Sequence, residues 1–169
     1  YASLRGEIGA VALTGSYAVI NVGAQISILN ITDKTHPTLL GQTEALAGEI
    51  KDIAIAGDYA YVAAGTGGVH VINIANKSAP FRAGSLAPTG STPDWSAEAV
   101  AVAGNYLYVA ASKYGLRLVD ISTPSSPNEI NSYNVGGNYY ALDVAAHGGY
   151  VYLAYSYYST PTTEGLYIL

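Results

Sequence analysis

The chain has 169 residues, half of them apolar and only 11% charged, and its formal net charge is −5. The seven Lys and Arg residues are scattered, and no apolar run is long enough to span a bilayer, so we expect neither nucleic-acid binding nor membrane insertion. Cysteine is absent, which excludes disulfides and thiolate chemistry.

One twelve-residue pattern occurs three times and organises the chain. It lies at 26–37, 69–80 and 116–127, and each copy has an aliphatic run, an Asn or Asp, another aliphatic residue and a turn closed by proline. A second series of anchors, Gly15, Gly57, Gly104 and Gly148, recurs at spacings of 42, 47 and 44 residues. A period of this length with several short strands per unit is typical of the blades of a β-propeller.

Four strands are predicted in each unit. The first is short and rich in small residues, at 10–13, 52–55, 99–102 and 143–145. A glycine-containing hairpin leads to a tyrosine-rich second strand at 17–21, 59–63, 106–110 and 150–154. The repeated pattern is the third strand, and a more polar fourth follows at 40–44, 83–86 and 130–134. The second and third strands are almost wholly apolar, so we expect neighbouring sheets to cover both faces of each sheet.

The fold prediction is therefore an all-β propeller built of four-stranded blades. The units fall at 5–46, 47–90, 91–135 and 136–169, with 1–4 as the outer strand of a preceding or closing blade. Segment 1–4 aligns with 43–46, and 166–169 aligns with 69–72, so both ends of the sequence lie inside a unit. Two interpretations stay open: a window on a larger propeller, or a chain whose open ends pair with other copies into a ring or filament.

Particular segments resemble a known family. Residues 116–121, Leu-Arg-Leu-Val-Asp-Ile, resemble the signature of LVIVD-repeat β-propellers, and 53–63 and 100–110 resemble the first hairpin of that family. The first unit departs from the pattern at 22–25, and the fourth departs at 156–164. The resemblance covers nearly the whole chain and implies the propeller fold. It implies little about function, because members are mostly uncharacterised repeat domains of surface and secreted proteins.

The candidate binding surface is a set of aromatic residues on loops. Two insertions, 88–97 and 155–164, fall on the face formed by the loops between strands two and three and the loops between units. Aromatic side chains presented there are good anchors for a protein partner or for sugar rings. The residues are Trp95, Tyr114, Tyr139, Tyr140, Tyr155, Tyr157 and Tyr158. The alternative is that these rings cap the ends of strands or pack on the next blade.

Five recurring polar residues are interpreted as structural. Asn30, Asn73 and Asp120 occupy one site of the repeat, before a turn, and we expect them to bond the local backbone. Asp52 and Asp143 start equivalent first strands and could bind a cation at a channel mouth. Because the other two units carry alanine there, we favour a structural role at the strand start.

Histidines and glycosylation sequons give weak signals. His36, His70 and His147 stand at different positions of the repeat, which argues against one shared metal site. The sequons place candidate glycans at Asn76, in an exposed turn, and less favourably at Asn30, which would make the protein a glycoprotein.

The sequence thus favours a binding function over catalysis. It contains no recognisable nucleophile elbow or phosphate loop, so we expect no cofactor and a non-enzymatic scaffold or interaction module. Low charge with abundant Tyr, Ser, Thr and Gly favours an extracellular or cell-surface location. The alternative is a piece of a larger propeller enzyme or carbohydrate-binding protein whose site lies outside these residues.

Overall fold

The computed structural model describes residues 6–88, 95–134, 136, 138–157 and 164–169. In these residues the chain forms fifteen β-strands arranged in separate antiparallel sheets. Sheet 1 contains β1 (Val11–Thr14), β2 (Tyr17–Val22), β3 (Gln25–Asn30) and β4 (Thr38–Gln42). Sheet 2 contains β5 (Asp52–Ala56), β6 (Tyr59–Ala63), β7 (Val69–Asn73) and β8 (Phe81–Leu86).

The second half of the chain repeats this arrangement. Sheet 3 contains β9 (Ala99–Ala103), β10 (Tyr106–Ala110), β11 (Leu116–Asp120) and β12 (Asn128–Tyr133). Sheet 4 contains β13 (Tyr139–His147), β14 (Tyr150–Tyr157) and β15 (Glu164–Ile168). Within every sheet the strands are hydrogen-bonded in sequence order, so each sheet is a meander. The predicted all-β architecture of repeated sheets is confirmed.

Glycine sets the first hairpin of every sheet. Gly15, Gly57, Gly104 and Gly148 have φ values of 55°, 56°, 59° and 62°, in the left-handed region that residues with a Cβ rarely adopt. A positive φ at the first central residue turns the chain tightly enough to pair the strands on either side. The glycine period found in the sequence therefore marks a conformational requirement of the turn.

Successive sheets pack face to face. We call the face of a sheet toward the preceding sheet its upstream face, and the opposite one its downstream face. The first strands contact each other in order, β1 with β5, β5 with β9 and β9 with β13. Buried aliphatic side chains fill each junction: Ile28 of sheet 1 packs in one cluster with Val62 of sheet 2, and Val71 of sheet 2 packs in another with Val109 of sheet 3. Coverage of both faces explains why the central strands are apolar throughout.

The outer strands also contact the following sheet. A Cβ added to Gly41 of β4 would lie 2.7 Å from the carbonyl of Ser78, in the proline-closed turn of sheet 2. A Cβ on Gly84 of β8 would lie 2.4 Å from the carbonyl oxygen of Pro124, in the same turn of sheet 3. The repeated proline turn is therefore a packing element as well as a connection.

The fourth strands and the long hairpin of sheet 4 differ from the sequence prediction: β4, β8 and β12 each begin two residues earlier than predicted, directly after the proline turn. The fourth strand of the first unit runs over Thr38–Gln42 rather than 40–44, because Thr38 pairs with Asn30 directly after the proline turn. In sheet 4, β13 and β14 are longer than predicted, because their register extends to the pair Tyr139 and Tyr157. Facing aromatic residues favour continued strand pairing.

Candidate functional site

The recurring Asn and Asp of the third strand hold the backbone, as predicted. The side-chain oxygens of Asn30, Asn73 and Asp120 accept hydrogen bonds from the backbone N–H two residues later, at 2.8, 3.0 and 2.8 Å. The bonds from Ser122 lower the pKa of Asp120, since they favour the carboxylate. This position is structural, and the turn it stabilises leads into the outer strand.

Asp52 joins two sheets. Its Oδ1 accepts from the N–H of Ile53 at 2.8 Å, and its Oδ2 accepts from the N–H of Val100, in the first strand of sheet 3, at 2.9 Å. β9 is an edge strand, so this carboxylate supplies an acceptor to a backbone donor outside the ladder. The preference for a structural role is supported for Asp52. The contact to the next sheet was not predicted from the sequence, although the occurrence of Asp at this position in only the second and fourth units was a signal for it.

Asp143 holds the equivalent position in sheet 4 but has no following sheet. Its Oδ1 accepts from the N–H of Val144 at 2.8 Å, as Asp52 does from Ile53. Among the described residues its Oδ2 accepts no hydrogen bond, and the residue is exposed. No group of His, Cys, Asp or Glu suited to a metal ion occurs in the described ranges.

Trp95 corrects the predicted aromatic surface. It is 1% exposed and packs in the core between sheets 2 and 3. The guanidinium of Arg117 lies 5.9 Å from its ring centroid and donates to Glu129 at 2.9 Å. Tyr114, half-buried, lies beside the same guanidinium at 5.7 Å. For these two rings the alternative of packing on a neighbouring blade describes the structure, because both pack in or against the core between sheets 2 and 3.

The second position of the repeated third-strand pattern differs in every unit; it is Ser27, His70 and Arg117 in sheets 1, 2 and 3. In sheet 2 it is His70, 2% exposed, whose Nε2–H donates to the carbonyl oxygen of Ala47 at 2.9 Å. Burial lowers the pKa of His70, and its Nδ1 is buried without a partner among the described residues. Ser27 accepts from Gln42 in sheet 1, and Arg117 contacts Trp95 in sheet 3. At this position each side chain contacts a residue of its own unit: Gln42 for Ser27, Ala47 for His70 and Trp95 for Arg117.

The remaining predicted tyrosines lie on strands rather than loops. Tyr139 and Tyr140 belong to β13, and Tyr155 and Tyr157 belong to β14, because the long hairpin of sheet 4 extends through them. All four are half-buried. Tyr158 lies outside the described residues. The predicted grouping on loops is therefore wrong for these four, and the correct signal was the alternation of tyrosines through 150–157.

Sheet 4 instead carries a connected row of tyrosines. The ring of Tyr139 lies 4.8 Å from Tyr157 and 5.1 Å from Tyr155, which lies 4.6 Å from Tyr167. Tyr167 contacts Tyr133 of sheet 3 edge-on at 6.2 Å. The ring of Tyr155 also covers Gly165, its cross-strand partner. Desolvation, followed by the neighbouring tyrosines, raises the pKa of Tyr167.

A cavity of 220 Å³ opens beside the end of this row. Tyr108, Asn131, Ser132 and Tyr133 line it from sheet 3, and Leu169 lines it from the end of sheet 4. Tyr133 is 42% exposed, so its ring is accessible from solvent. Aromatic faces beside amide and hydroxyl groups are the chemistry that binds sugar rings.

The first strand of sheet 1 is exposed on its upstream face, whereas Ala18, Ile20 and Val22 of the neighbouring β2 are only 5%, 7% and 8% exposed there. Val11 and Leu13 of β1 are 64% and 68% exposed. The residues equivalent to Val11 in the other sheets, Ile53, Val100 and Val144, are 5%, 5% and 6% exposed. The apolar pattern of this face is thus the same as that of faces buried elsewhere in the chain.

The third strand of sheet 4 is exposed on its downstream face. Leu166 and Ile168 of β15 are each 59% exposed. Their equivalents in sheet 2, Val69 and Val71, are fully buried against sheet 3. The same apolar pattern is therefore buried in sheet 2 and exposed in sheet 4. The sequence did not reveal this, because apolar residues occupy these positions in every unit.

The other candidate residues remain separate. The Nδ1 atom of His36 lies 3.1 Å from Asp33 Oδ2 within its turn, and His147 is the last residue of β13. The three histidines therefore lie in different elements, since His70 belongs to the third strand β7. Asn76 is exposed, but its Oδ1 accepts from the N–H and hydroxyl of Ser78. The described residues contain no helix of the length and apolarity needed to cross a membrane.

Solved structures share this fold at low sequence identity. The computationally designed Ika4 protein superimposes with a TM-score of 0.70 at 16% identity, over 98% of this chain and 92% of that one. The β-propeller domain of Myceliophteria thermophila Cps50 (Swd1) gives 0.73 at 13% identity, over 97% of this chain and 51% of that one. A putative 6-phosphogluconolactonase from Bacteroides uniformis gives 0.69 at 11% identity, over 95% and 55%. The chain therefore spans about half the length of the latter two.

A search of curated protein sequences finds no match. The LVIVD repeat family matches three consecutive segments, residues 5–44, 47–87 and 96–135, which together make up most of the chain. These segments contain sheets 1, 2 and 3, with the third-strand pattern in each. With four stacked meander sheets and propeller relatives, the sequence pattern and the architecture agree: the chain belongs to the LVIVD repeat family of β-propellers.

Proposed function

We propose that this protein is a non-enzymatic scaffold, outside the cell or on its surface, that binds macromolecular partners and associates with copies of itself. The observation that carries the proposal is a pair of exposed apolar patches, one on the first strand of sheet 1 and one on the last strand of sheet 4. Val11 and Leu13 form one, and Leu166 and Ile168 form the other. Burying such side chains contributes about 25 cal/mol per Å² of apolar area, so their exposure favours association.

The free edge of β15 gives a second route to the same function. Sheets 1, 2 and 3 each end in a fourth strand, whereas β15 pairs only with β14 among the described residues. An unpaired edge accepts an added strand through backbone hydrogen bonds. Strand addition from another copy would complete sheet 4 and extend the assembly into a ring or filament.

The positions of the polar side chains support a structural role over catalysis. Asp52 and Asn21 are used to hold backbone: Asn21 accepts from the N–H groups of Gly9 and Ala10, each at 2.8 Å. The low charge and the exposed sequon at Asn76 favour an extracellular setting. Intact-mass spectrometry of protein secreted from a glycosylating host tests this part, and a mass equal to that of the bare chain would oppose glycosylation at Asn76.

Sedimentation velocity of the chain, from nanomolar to high micromolar concentration, tests the scaffold proposal. We expect the average mass to rise above the 17.5 kDa of one chain as concentration increases. Substituting the exposed Phe81→Ser, on the outer strand β8, serves as a control and should leave the rise unchanged. A mass that stays at that of one chain throughout would refute self-association.

Carbohydrate binding is a second candidate, favoured by the cavity beside Tyr133. The exposed ring of Tyr133 would stack on a sugar while Asn131 and Ser132 bond its hydroxyls. Titration with oligosaccharides, followed by NMR, should move the backbone amide resonances of Asn131 and Ser132, and Tyr133→Ala should abolish these shifts. Identical shifts in Tyr133→Ala and wild type would exclude this cavity.

A further inference from the structure

A cavity of 470 Å³ lies between the outer strands of sheets 1 and 2. One wall is segment 42–46, which continues from β4, and the other is formed by Pro80, Phe81 and Arg82, at the start of β8. This cavity is larger than the one beside Tyr133 and shares no residue with it. It is therefore a separate candidate for a binding site.

Hydrogen bonds to the third strand fix the first wall. The N–H of Thr43 donates to the carbonyl oxygen of Ile26 at 2.9 Å, and the Oγ1 of Thr43 accepts from the N–H of Ile26 at 3.0 Å. The N–H of Leu46 donates to the carbonyl oxygen of Ala24 at 2.8 Å. A wall that is ordered in advance lowers the entropy cost of binding.

The middle of the same wall has free backbone groups. Among the described residues, the backbone N–H and C=O groups of Glu44 and Ala45 form no hydrogen bond. On the other side of the cavity, β8 pairs only with β7 in the part of the chain that the structure describes. Free backbone donors and acceptors of this kind bind an extended chain through the backbone groups of that chain.

Two opposite charges line the cavity without pairing. Glu44 and Arg82 are both exposed, and neither forms an ion pair within the described ranges. The position of Arg82 in sheet 2 corresponds to that of Glu129 in sheet 3, which pairs with Arg117 at 2.9 Å. The charge at this position is thus satisfied in sheet 3 and available in sheet 2. A ligand that carries both signs of charge complements such a cavity.

An aromatic ring at the cavity supplies an apolar contact. Phe81 is 57% exposed and lines the cavity beside Pro80. The equivalent residues of sheets 1 and 3, each paired with the Asn or Asp of the third strand, are Thr38 and Asn128. The repeated fold therefore does not require an aromatic residue here. Exposed aromatic side chains at a groove are effective anchors for a partner.

We infer that the cavity between segment 42–46 and β8 binds an extended peptide of a partner protein. The peptide carries an acidic side chain for Arg82, a basic side chain for Glu44 and an apolar side chain for Phe81. This inference rests on the binding role proposed above and names its partner class, but it does not require self-association. The carboxylate of Glu44 would repel a phosphate backbone, and a neutral sugar chain would leave both charges without a partner.

Selection from a random peptide library displayed on phage tests this inference. We expect the wild-type chain to enrich sequences that contain an apolar residue between an acidic and a basic one. A synthetic peptide of the enriched sequence should bind Arg82→Gln about tenfold or more weakly than wild type in calorimetry, because a charge-assisted hydrogen bond is lost. Lys34→Gln is the matched control, since Lys34 is exposed and lies outside the cavity, and it should bind the peptide as wild type does.

Charge reversal tests the assignment of each side chain. Selection on Arg82→Glu should replace the acidic position of the enriched sequences by a basic one, and selection on Glu44→Lys should do the converse. Both residues are exposed, so thermal unfolding of the variants should match that of wild type. Asp58→Lys, in an exposed hairpin turn, is the control for Glu44→Lys and should enrich the wild-type sequences.

The outcomes separate this inference from the proposed function. Failure to enrich any sequence overturns the inference, as does enrichment of the same sequences by wild type, Arg82→Glu and Glu44→Lys. In either case self-association, measured by sedimentation, still decides the scaffold proposal. Conversely, Phe81→Ser should weaken peptide binding while leaving self-association unchanged. A loss of self-association in Phe81→Ser without any loss of peptide binding would contradict the role given to Phe81 here.

Discussion

Replacing Gly84 by alanine should destabilise the junction between sheets 2 and 3. Its φ is not positive, so the backbone accepts a Cβ, and any cost comes from space alone. The added atom would lie 2.4 Å from the carbonyl oxygen of Pro124, roughly 1 Å closer than the ~3.5 Å at which non-bonded heavy atoms pack. The three nearest atoms, of Pro124 and Ser125, all belong to the backbone, so the proline turn of sheet 3 must move.

The expected loss in the free energy of unfolding is about 1–2 kcal/mol. Overpacking costs about 1–3 kcal/mol, and the reduced entropy of the unfolded chain offsets about 0.4–1 kcal/mol of it. Urea unfolding followed by circular dichroism measures the difference. Asn131→Ala is the matched control, because Asn131 holds the equivalent position in sheet 3, is exposed and faces no such turn among the described residues. A Gly84→Ala variant as stable as wild type would refute this packing of β8 on the turn.

Three further changes test other parts of the structure. Trp95→Ala should cost about 3–5 kcal/mol in urea unfolding, since a buried ring is removed from the junction of sheets 2 and 3, and a loss below 1 kcal/mol would contradict its burial. Ser112→Gly should stabilise the protein by about 0.5–1 kcal/mol, because Ser112 has a φ of 50° and glycine relieves that strain. Gly65→Ser, at the equivalent position with a φ of 53°, should destabilise it. A change of the same sign in both variants would contradict this reasoning. Burial lowers the folded-state pKa of His70 below its unfolded value, so the unfolded chain binds the proton first as the pH falls. The free energy of unfolding should therefore be highest above pH 6.5 and should decrease as the pH drops toward the folded-state pKa. Urea unfolding of His70→Gln at a series of pH values should lack that decrease.

The repeated elements of the fold could be predicted from the sequence because local rules determine them. Glycine at the first hairpin, Asn or Asp at the end of the third strand and proline before the fourth each act over a few residues, and each recurs. Apolar second and third strands correctly indicated sheets covered on both faces. The longer hairpin of sheet 4 was not predicted, because it depends on cross-strand pairs such as Tyr139 with Tyr157.

The candidate site was less predictable, because exposure depends on which sheet has a neighbour. Val11 and Val100 have the same residue type and the same repeat position, yet one is 64% exposed and the other 5%. Trp95 was predicted to lie on a surface loop, but its ring packs in the core between sheets 2 and 3, beside Arg117. Contacts between units decide both cases, and a pattern repeated in every unit contains no information about which unit lies at an end.

The variable second position of the repeated third-strand pattern, occupied by His70 in sheet 2 and Arg117 in sheet 3, has a consequence for how the chain folds. Four sheets with nearly interchangeable apolar faces could stack in the wrong order, a common source of misfolding in repeat proteins. His70 requires the carbonyl of Ala47, whereas Arg117 requires Glu129 and the ring of Trp95. An imidazole or a guanidinium buried without its partner would cost several kcal/mol, and here each partner lies in the same sheet or in the segment that leads into it. The least repetitive side chains thus tie each sheet to its own leading segment, while the repeated ones fill the junctions between sheets.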